Sequence, residues 1–418
     1  MCAQVTISPF KYHGQIAVPR SKSYLQRAIA VASLIPAETT IKGFTESNDV
    51  LVALGIANSF GAKFSIQNNE VKIQGISRAP IDDLDIYCGE AGLSTRMFSP
   101  IASVLSKNVT VIGEGSILNR PMDMVIDGLE QLGAKVRSNT KRLPLKIQGG
   151  INSGDITIDG SESSQFLTGL LIGLSFLAEP STIKVSNLKS APYVQMTLDV
   201  LNEFGIKVEQ LEYETFKTQP KKQEFKPKYT YHVEGDWSGA SFHIVGASIS
   251  GEIELMGLNL ASSQADIKIL EAVEQAGAIV ECTQTNSLKI KKGRLKAFHF
   301  DATDCPDLFP PLAALAAACS GTSAIIGTRR LLHKESNRAV TIKEELEKLG
   351  ITVELDDNVM KIAGGQINGG TVSSSNDHRI AMMAGILASV SETPITIENA
   401  TAVNKSYPAF YGDLVLCR

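Results

Sequence analysis

Residues 18–33 read VPRSKSYLQRAIAVAS, with Arg20, Lys22, Arg27, Ser21 and Ser23 at the lip of an apolar run. Charge at the edge of a buried helix is costly unless an anion meets it there, and a helix N-terminus already favours anions. The same juxtaposition recurs along the chain. Arg96 opens GLSTRMFSPIASV, Ser163, Ser164 and Gln165 open SSQFLTGLLIGLSF, Asp307 opens PDLFPPLAALAAA, and His378 and Arg379 open NDHRIAMMAGILA. A second set of segments adds LNRPMD with Arg120, KSAPYV with Ser190 and Tyr193, HKESNR with Lys334, Glu335 and Arg338, and VNKSYP with Lys405. Apart from Arg20, eight cations of this kind suit a ligand bearing phosphates and carboxylates. Two acids among them, Asp307 and Glu335, suit proton transfer. Taken singly, each residue reads as a helix cap or a solvated side chain; what argues for chemistry is their coincidence with one repeated position.

Composition narrows the classes. The 418 residues are 43% hydrophobic and 20% charged, enough for a large core, and 40 Lys and Arg against 44 Asp and Glu leave a net charge of -4. No whole-protein field draws in nucleic acid or an anionic membrane, so an anion must be gathered locally. The six cysteines lack CxxC or Cys/His ligand spacing, which implies no metal site, no disulfide framework and a reducing cytoplasmic setting. The N-terminus carries no basic-then-apolar leader, and the longest apolar run, FLTGLLIGLSFLA, is too short to span a bilayer. No GxxxxGK[ST] or strand-linked GxGxxG marks a nucleotide site.

The elements that must position these residues are repeated. One helix ending is written five times, as IANSFGAKF, GLEQLGAKV, VLNEFGIKV, AVEQAGAIV and EELEKLGITV. Its glycines, Gly61, Gly133, Gly205, Gly277 and Gly350, are spaced 72, 72, 72 and 73 residues apart. A single Gly past a helix marks only a C-cap; five at constant spacing imply duplication. Between them recurs a second helix with scarcely any polar face, the mark of an interior helix, followed each time by a β-rich segment such as TTIKGF, VTVIGE or STIKVS. Six units follow, each a sheet segment with two helices.

The last unit runs out of chain near YPAFYGDLVLCR, while AQVTISP near the N-terminus is an unclaimed strand. The N-terminal strand is therefore expected to complete the sixth unit. Residues 1–17 and 236–418 would make one three-unit lobe and residues 18–235 the other, joined by two crossovers. Pseudo-threefold packing in each lobe would gather three inner-helix N-termini at one end.

In order and along the whole chain, SKSYLQRA, AGLSTR, NRPMD, SSQFLTGLL, KSAPYV, VEGDWSGAS, CPDLFPPLAALAA, HKESNR, NDHRIAM and NKSYPAF resemble the 5-enolpyruvylshikimate-3-phosphate synthase family. The resemblance implies a two-lobed inside-out α/β barrel of six βαβαββ repeats, three per lobe, with buried helices and a two-strand hinge. It implies transfer of the enolpyruvyl group of phosphoenolpyruvate to the 5-hydroxyl of shikimate 3-phosphate by a monomeric enzyme needing no metal or organic cofactor.

By motif, Lys22, Ser23, Arg27, Ser163, Ser164, Gln165, Ser190, Tyr193, Asp307 and Lys334 would hold shikimate 3-phosphate. Lys22, Gly92, Arg120, Gln165, Arg338, Arg379 and Lys405 would hold phosphoenolpyruvate, with Arg96 in support. Glu335 would exchange the methylene proton, Asp307 would serve the 5-hydroxyl, and Lys22 with His378 the phosphate. One loop departs from the family pattern: EAGLSTR has Glu90 and Leu93 where relatives carry Asn and Thr. Two other readings stand beside this one, a sister transferase acting on UDP-N-acetylglucosamine and a non-catalytic phosphometabolite binder. The first would carry Lys-Asn at Lys22-Ser23 and a reactive Cys in the loop that here reads GEGSILNRPMD, and the second would have lost Asp307 and Glu335.

Overall fold

Nearly all-apolar helices alternate with amphipathic ones in the computed structural model, which describes residues 3–76, 81–219, 225–283 and 287–418. In chain order they are α1 Lys22–Leu34, α2 Asn48–Ser59, α3 Gly92–Leu105, α4 Asp123–Gln131, α5 Gln165–Leu174, α6 Ala191–Glu203, α7 Trp237–Ser250, α8 Ile269–Ala276, α9 Phe309–Ala317, α10 Arg338–Lys348, α11 His378–Leu387 and α12 Phe410–Leu416. The odd-numbered helices are enclosed: every residue of α9 and α11 is buried, and α3 is buried from Gly92 to Ser103. The even-numbered ones bury a single stripe, as α2 does with Val50, Ala53, Leu54, Ile56 and Ala57. The five repeated glycines all take positive φ, from +76° at Gly205 to +101° at Gly277. That is the left-handed turn a side chain disfavours, and it ends each outer helix.

Sheet pairing repeats with the helices. Ile81–Tyr87 runs parallel to Ser106–Ile112, with α3 as the crossover, and the hairpin Lys135–Arg137 and Leu145–Gln148 then adds antiparallel. Asp155–Asp159 with Ser181–Ser186, and His299–Asp301 with Thr322–Ile326, repeat the pattern. Two repeats borrow their leading strand from elsewhere in the chain. Glu38–Lys42 lies parallel to Lys228–His232, and Glu252–Met256 lies parallel to Gln15–Ala17. In the sixth unit Gly370–Ser373 runs parallel to Ile395–Glu398, whose other edge pairs antiparallel with Val5–Ile7. The N-terminal strand thus occupies the position left open by the truncated repeat.

The chain divides into one unit of Met1–Ser21 with Glu234–Arg418 and another of Lys22–Val233. The first crossing falls four residues later than the 17/18 boundary drawn from sequence, and the second falls two residues earlier than 235/236. The cause is hydrogen bonding within the first unit: Val18 N donates to Met256 O, Ser21 N to Glu234 O and Asp236 N to Pro19 O. Residues 18–21 are zipped to the returning segment, while Val233 N bonds Lys42 O in the second unit. Within that second unit α3 and α5 approach so closely that a Cβ on Gly169 would lie 2.3 Å from Met97 O. Among the described residues no helix is long and apolar enough to cross a membrane.

Candidate active site

In the unit of residues 22–233, α1 begins at Lys22, whose Nζ lies 2.7 Å from Asp49 Oδ2. Gln26, one turn on, donates to Asp49 O at 3.2 Å and to Ser94 Oγ at 2.9 Å, tying the starts of α1, α2 and α3 together. Arg27 is 1% exposed. Its Nε donates to Thr197 Oγ1 at 2.9 Å, Nη1 to Ser23 O at 2.9 Å, and Nη2 to Tyr193 O at 3.1 Å and Thr168 Oγ1 at 3.4 Å. Every one of these partners is a hydroxyl or a carbonyl. Burial accordingly lowers the guanidinium pKa to about 10, with Tyr24, Tyr193 and Tyr231 acting against it. A buried cation paired with no carboxylate among the described residues is well suited to an anionic ligand.

A second cluster of the same unit surrounds Gly92 at the start of α3. A Cβ there would meet Arg120 Nη1 at 2.7 Å, Arg96 Nη1 at 3.2 Å and Gln165 Oε1 at 3.5 Å. Only glycine leaves the backbone open beneath two guanidinium groups. Arg96 is held by Gln165 Oε1 at 3.2 Å and Pro121 O at 3.2 Å, and Gln165 N bonds Ser163 Oγ at 3.2 Å. Thr168 Oγ1 reaches back one turn to Ser164 O at 3.2 Å, linking the opening of α5 to the Arg27 group. Ser190, 3% exposed, stands in the left-handed conformation at φ 61° immediately before α6.

In the unit of residues 1–21 and 234–418 the site is an ion-pair network centred on Arg338, the first residue of α10, whose side chain is fully buried. Its Nη1 meets Asp307 Oδ1 at 2.9 Å, Nη2 meets Glu335 Oε2 at 2.6 Å, and Nε meets Asp377 Oδ2 at 3.0 Å. Burial alone would lower the guanidinium's pKa, yet Asp377, Glu335 and Asp307 hold it above the ordinary value. Asp307 also receives Arg379 Nη2 at 2.9 Å and Lys334 Nζ at 3.4 Å. Burial works to raise the Asp307 pKa, but Arg379, Lys334 and Arg338 outweigh it and hold the carboxyl well below its usual range. Asp307 and Glu335 keep 24% and 19% of their side-chain surface open, whereas Arg338, which bonds both acids, keeps none.

Around this centre, Asp377 caps α11 by accepting from Arg379 N at 3.0 Å, and His378 Nδ1 lies 4.0 Å from Asp377 Oδ1. Lys405 donates to Asn376 O at 2.6 Å. Asp266 is 3% exposed; burial first, and then the charge of Asp307, push its carboxyl up to about 6. Asp307 itself accepts no helix-cap bond at the start of α9, so the cap reading of that residue does not hold.

Each unit therefore gathers its share of the residues expected from sequence. Sequence reasoning passed over Asp49, Thr168, Thr197, Asp266 and Asp377. Thr168 and Thr197 carried a usable signal, since each stands one turn beyond a chosen residue, four after Ser164 and four after Tyr193.

The model of the EPSP synthase (3-phosphoshikimate 1-carboxyvinyltransferase) family matches residues 8–414. The chain is 34% identical over 420 residues to the 3-phosphoshikimate 1-carboxyvinyltransferase of Clostridium novyi, covering 98% of this chain and 96% of the relative. It is 36% identical over 417 residues to that of Clostridium acetobutylicum, with the same coverage of both. A solved EPSP synthase from Acinetobacter baumannii is similar in fold, with a TM-score of 0.80 at 26% identity over 99% of this chain and 97% of that one.

Proposed function

The chain belongs to the EPSP synthase family, and on that premise we propose how its residues divide the reaction. The enzyme transfers the enolpyruvyl group of phosphoenolpyruvate to the 5-hydroxyl of shikimate 3-phosphate, releasing phosphate, on the route through chorismate to aromatic amino acids. UDP-N-acetylglucosamine as acceptor is not favoured by any of these relatives.

Addition joins the 5-oxygen to C2 of phosphoenolpyruvate while C3 takes a proton; elimination returns that proton and expels phosphate. Glu335 exchanges the proton at C3. Asp307 takes the proton of the 5-hydroxyl, and Lys22 with His378 serves the departing phosphate. Ser23, Arg27, Ser163, Ser164, Ser190 and Tyr193 hold shikimate 3-phosphate, with Arg27 on its carboxylate and the serines on its phosphate. Asp307 and Lys334 engage the ring hydroxyls. Gly92, Arg120, Gln165, Arg338, Arg379 and Lys405 hold phosphoenolpyruvate and stabilise the charge of the tetrahedral intermediate.

The observation that carries this reading is the pair of part-open acids, Asp307 and Glu335, around one closed guanidinium. A carboxylate held well below its usual pKa is a poor base. An anionic substrate beside it competes for Arg338, Arg379 and Lys334, and each cation drawn away raises the proton affinity of Asp307. Substrate binding thereby prepares the base it needs. The cytoplasm and a monomeric state complete the proposal; the five described cysteines are free, in keeping with a reducing compartment.

Phosphate release from phosphoenolpyruvate, measured with shikimate 3-phosphate or with UDP-N-acetylglucosamine as acceptor, tests the reading. Turnover is expected with the first alone, and turnover with the second alone would overturn it.

A further inference from the structure

Two loops of the unit 22–233 face one another beside Gly92. Cys88 N donates to Ile112 O at 2.7 Å, and Glu114 N donates to Gly89 O at 2.9 Å. The half-buried side chain of Glu90 spans the gap, its Oε2 accepting from Ser116 N at 3.1 Å. Gly115 stands at φ +59°, and a Cβ on it would come within 2.4 Å of the Glu90 carboxyl carbon. The turn is thus shaped to the carboxylate. Ser116 passes the contact on, because its Oγ accepts from Arg120 Nη2 at 3.4 Å, while Arg120 Nη1 lies over the open face of Gly92.

We propose that Glu90 is a positioning residue for Arg120: its carboxylate fixes the Gly115–Ser116 turn through the Ser116 N–H, and the Ser116 hydroxyl then holds the guanidinium over Gly92. Glu90 stands where the family resemblance leads one to expect Asn, and it carries one more methylene with which to cross to the second loop. A carboxylate accepting from a backbone N–H makes a stronger bond than a neutral amide does. Arg120 itself is 5% exposed, so its direction is set by the groups packed around it. The inference rests on reading Arg120 as a ligand of phosphoenolpyruvate.

The test is steady-state kinetics of the intact enzyme with each substrate varied in turn, for Glu90→Ala, Glu90→Gln and Arg120→Ala. Loss of one hydrogen bond to a charged group corresponds to roughly a tenfold change. Glu90→Ala should raise KM for phosphoenolpyruvate by about that factor and leave KM for shikimate 3-phosphate nearly unmoved, and Glu90→Gln, which keeps an oxygen acceptor, should recover most of the loss. A rise in KM for phosphoenolpyruvate with Arg120→Ala but not with Glu90→Ala overturns the inference while sparing the reading of Arg120. No rise with Arg120→Ala overturns both. An equal rise in both KM values with Glu90→Ala means a general loosening of the unit and also overturns it. Should Glu90→Ala fail to fold, Gly115→Ala disturbs the same contact: a selective rise in KM for phosphoenolpyruvate supports the inference, and an unchanged value overturns it.

Discussion

Replacing Arg338 by Gln tests whether the network around it works as a single electrostatic unit. The side chain is fully buried and satisfies three carboxylates. Asp307 would keep Arg379 and Lys334, and Glu335 is part open to water. The loss therefore concentrates on Asp377, whose side chain is also fully buried and which would keep Ser336 Oγ at 3.3 Å, Arg379 N at 3.0 Å and the His378 ring at 4.0 Å. Breaking a buried pair from one side typically costs about 3–5 kcal/mol, because the other charge is stranded. With roughly 2–4 °C of melting temperature per kcal/mol for a unit of this size, the transition of the unit 1–21 and 234–418 should fall by roughly 6 to 20 °C. Calorimetry of Arg338→Gln, Asp377→Asn and the double variant gives the full cycle. The double variant is expected to be more stable than Arg338→Gln, since the stranded charge is gone. A loss below about 1 kcal/mol in Arg338→Gln, within the range of a surface pair, or strict additivity in the cycle would refute the argument.

Three further outcomes are expected. Glu335→Gln and Asp307→Asn should bind shikimate 3-phosphate, measured by calorimetry, yet lose about 100-fold to 10,000-fold in turnover, the usual range for an acid–base group; near-normal turnover in both removes them from the proton transfers. Arg27→Ala should weaken shikimate 3-phosphate, whereas Lys22→Ala should impair phosphoenolpyruvate handling and phosphate departure; equal loss of one ligand in both would show that the two cations share a role. His243, buried between Tyr12 and Tyr407, has its pKa lowered by burial to about 3 from 6.5. Below pH 7 the unfolded chain takes up a proton that the folded one refuses, so stability should fall with pH, the slope from this group steepening toward about 1.4 kcal/mol per unit as pH 5 is approached. Urea unfolding between pH 7 and 5 should show that slope, and His243→Gln should flatten it.

Much of the fold was legible because the duplication is written in residues with no choice of conformation. Gly at a left-handed C-cap and an apolar helix with no polar face each have one structural solution, and five or six copies in register fix the period. The shortage of a strand in the sixth unit pointed to AQVTISP, residues 3–9, and within it Val5–Ile7 pairs with the strand Ile395–Glu398. The crossing points were displaced for a reason composition cannot carry. Nothing in VPRS or VEGD reveals that Asp236 N will find Pro19 O, because backbone pairing between segments more than 200 residues apart leaves no trace in side-chain pattern.

The candidate site was legible in membership and not in pairing. Helix starts and charge types single out Asp307, Lys334, Glu335, Arg338 and Arg379, but which oxygen meets which nitrogen depends on rotamers set by the packing of α9, α10 and α11. Asp377 shows why. In sequence it is a cap before an apolar helix, and it does cap Arg379 N, yet its second oxygen takes the buried Nε of Arg338. One carboxylate thus stabilises a helix start and orients the cation that orients Asp307 and Glu335. A residue that serves a fold and a site at once carries a sequence signature for the first role alone, since capping is local and the site partner lies 39 positions away. Such residues are found by asking of every buried cap where its other lone pairs go.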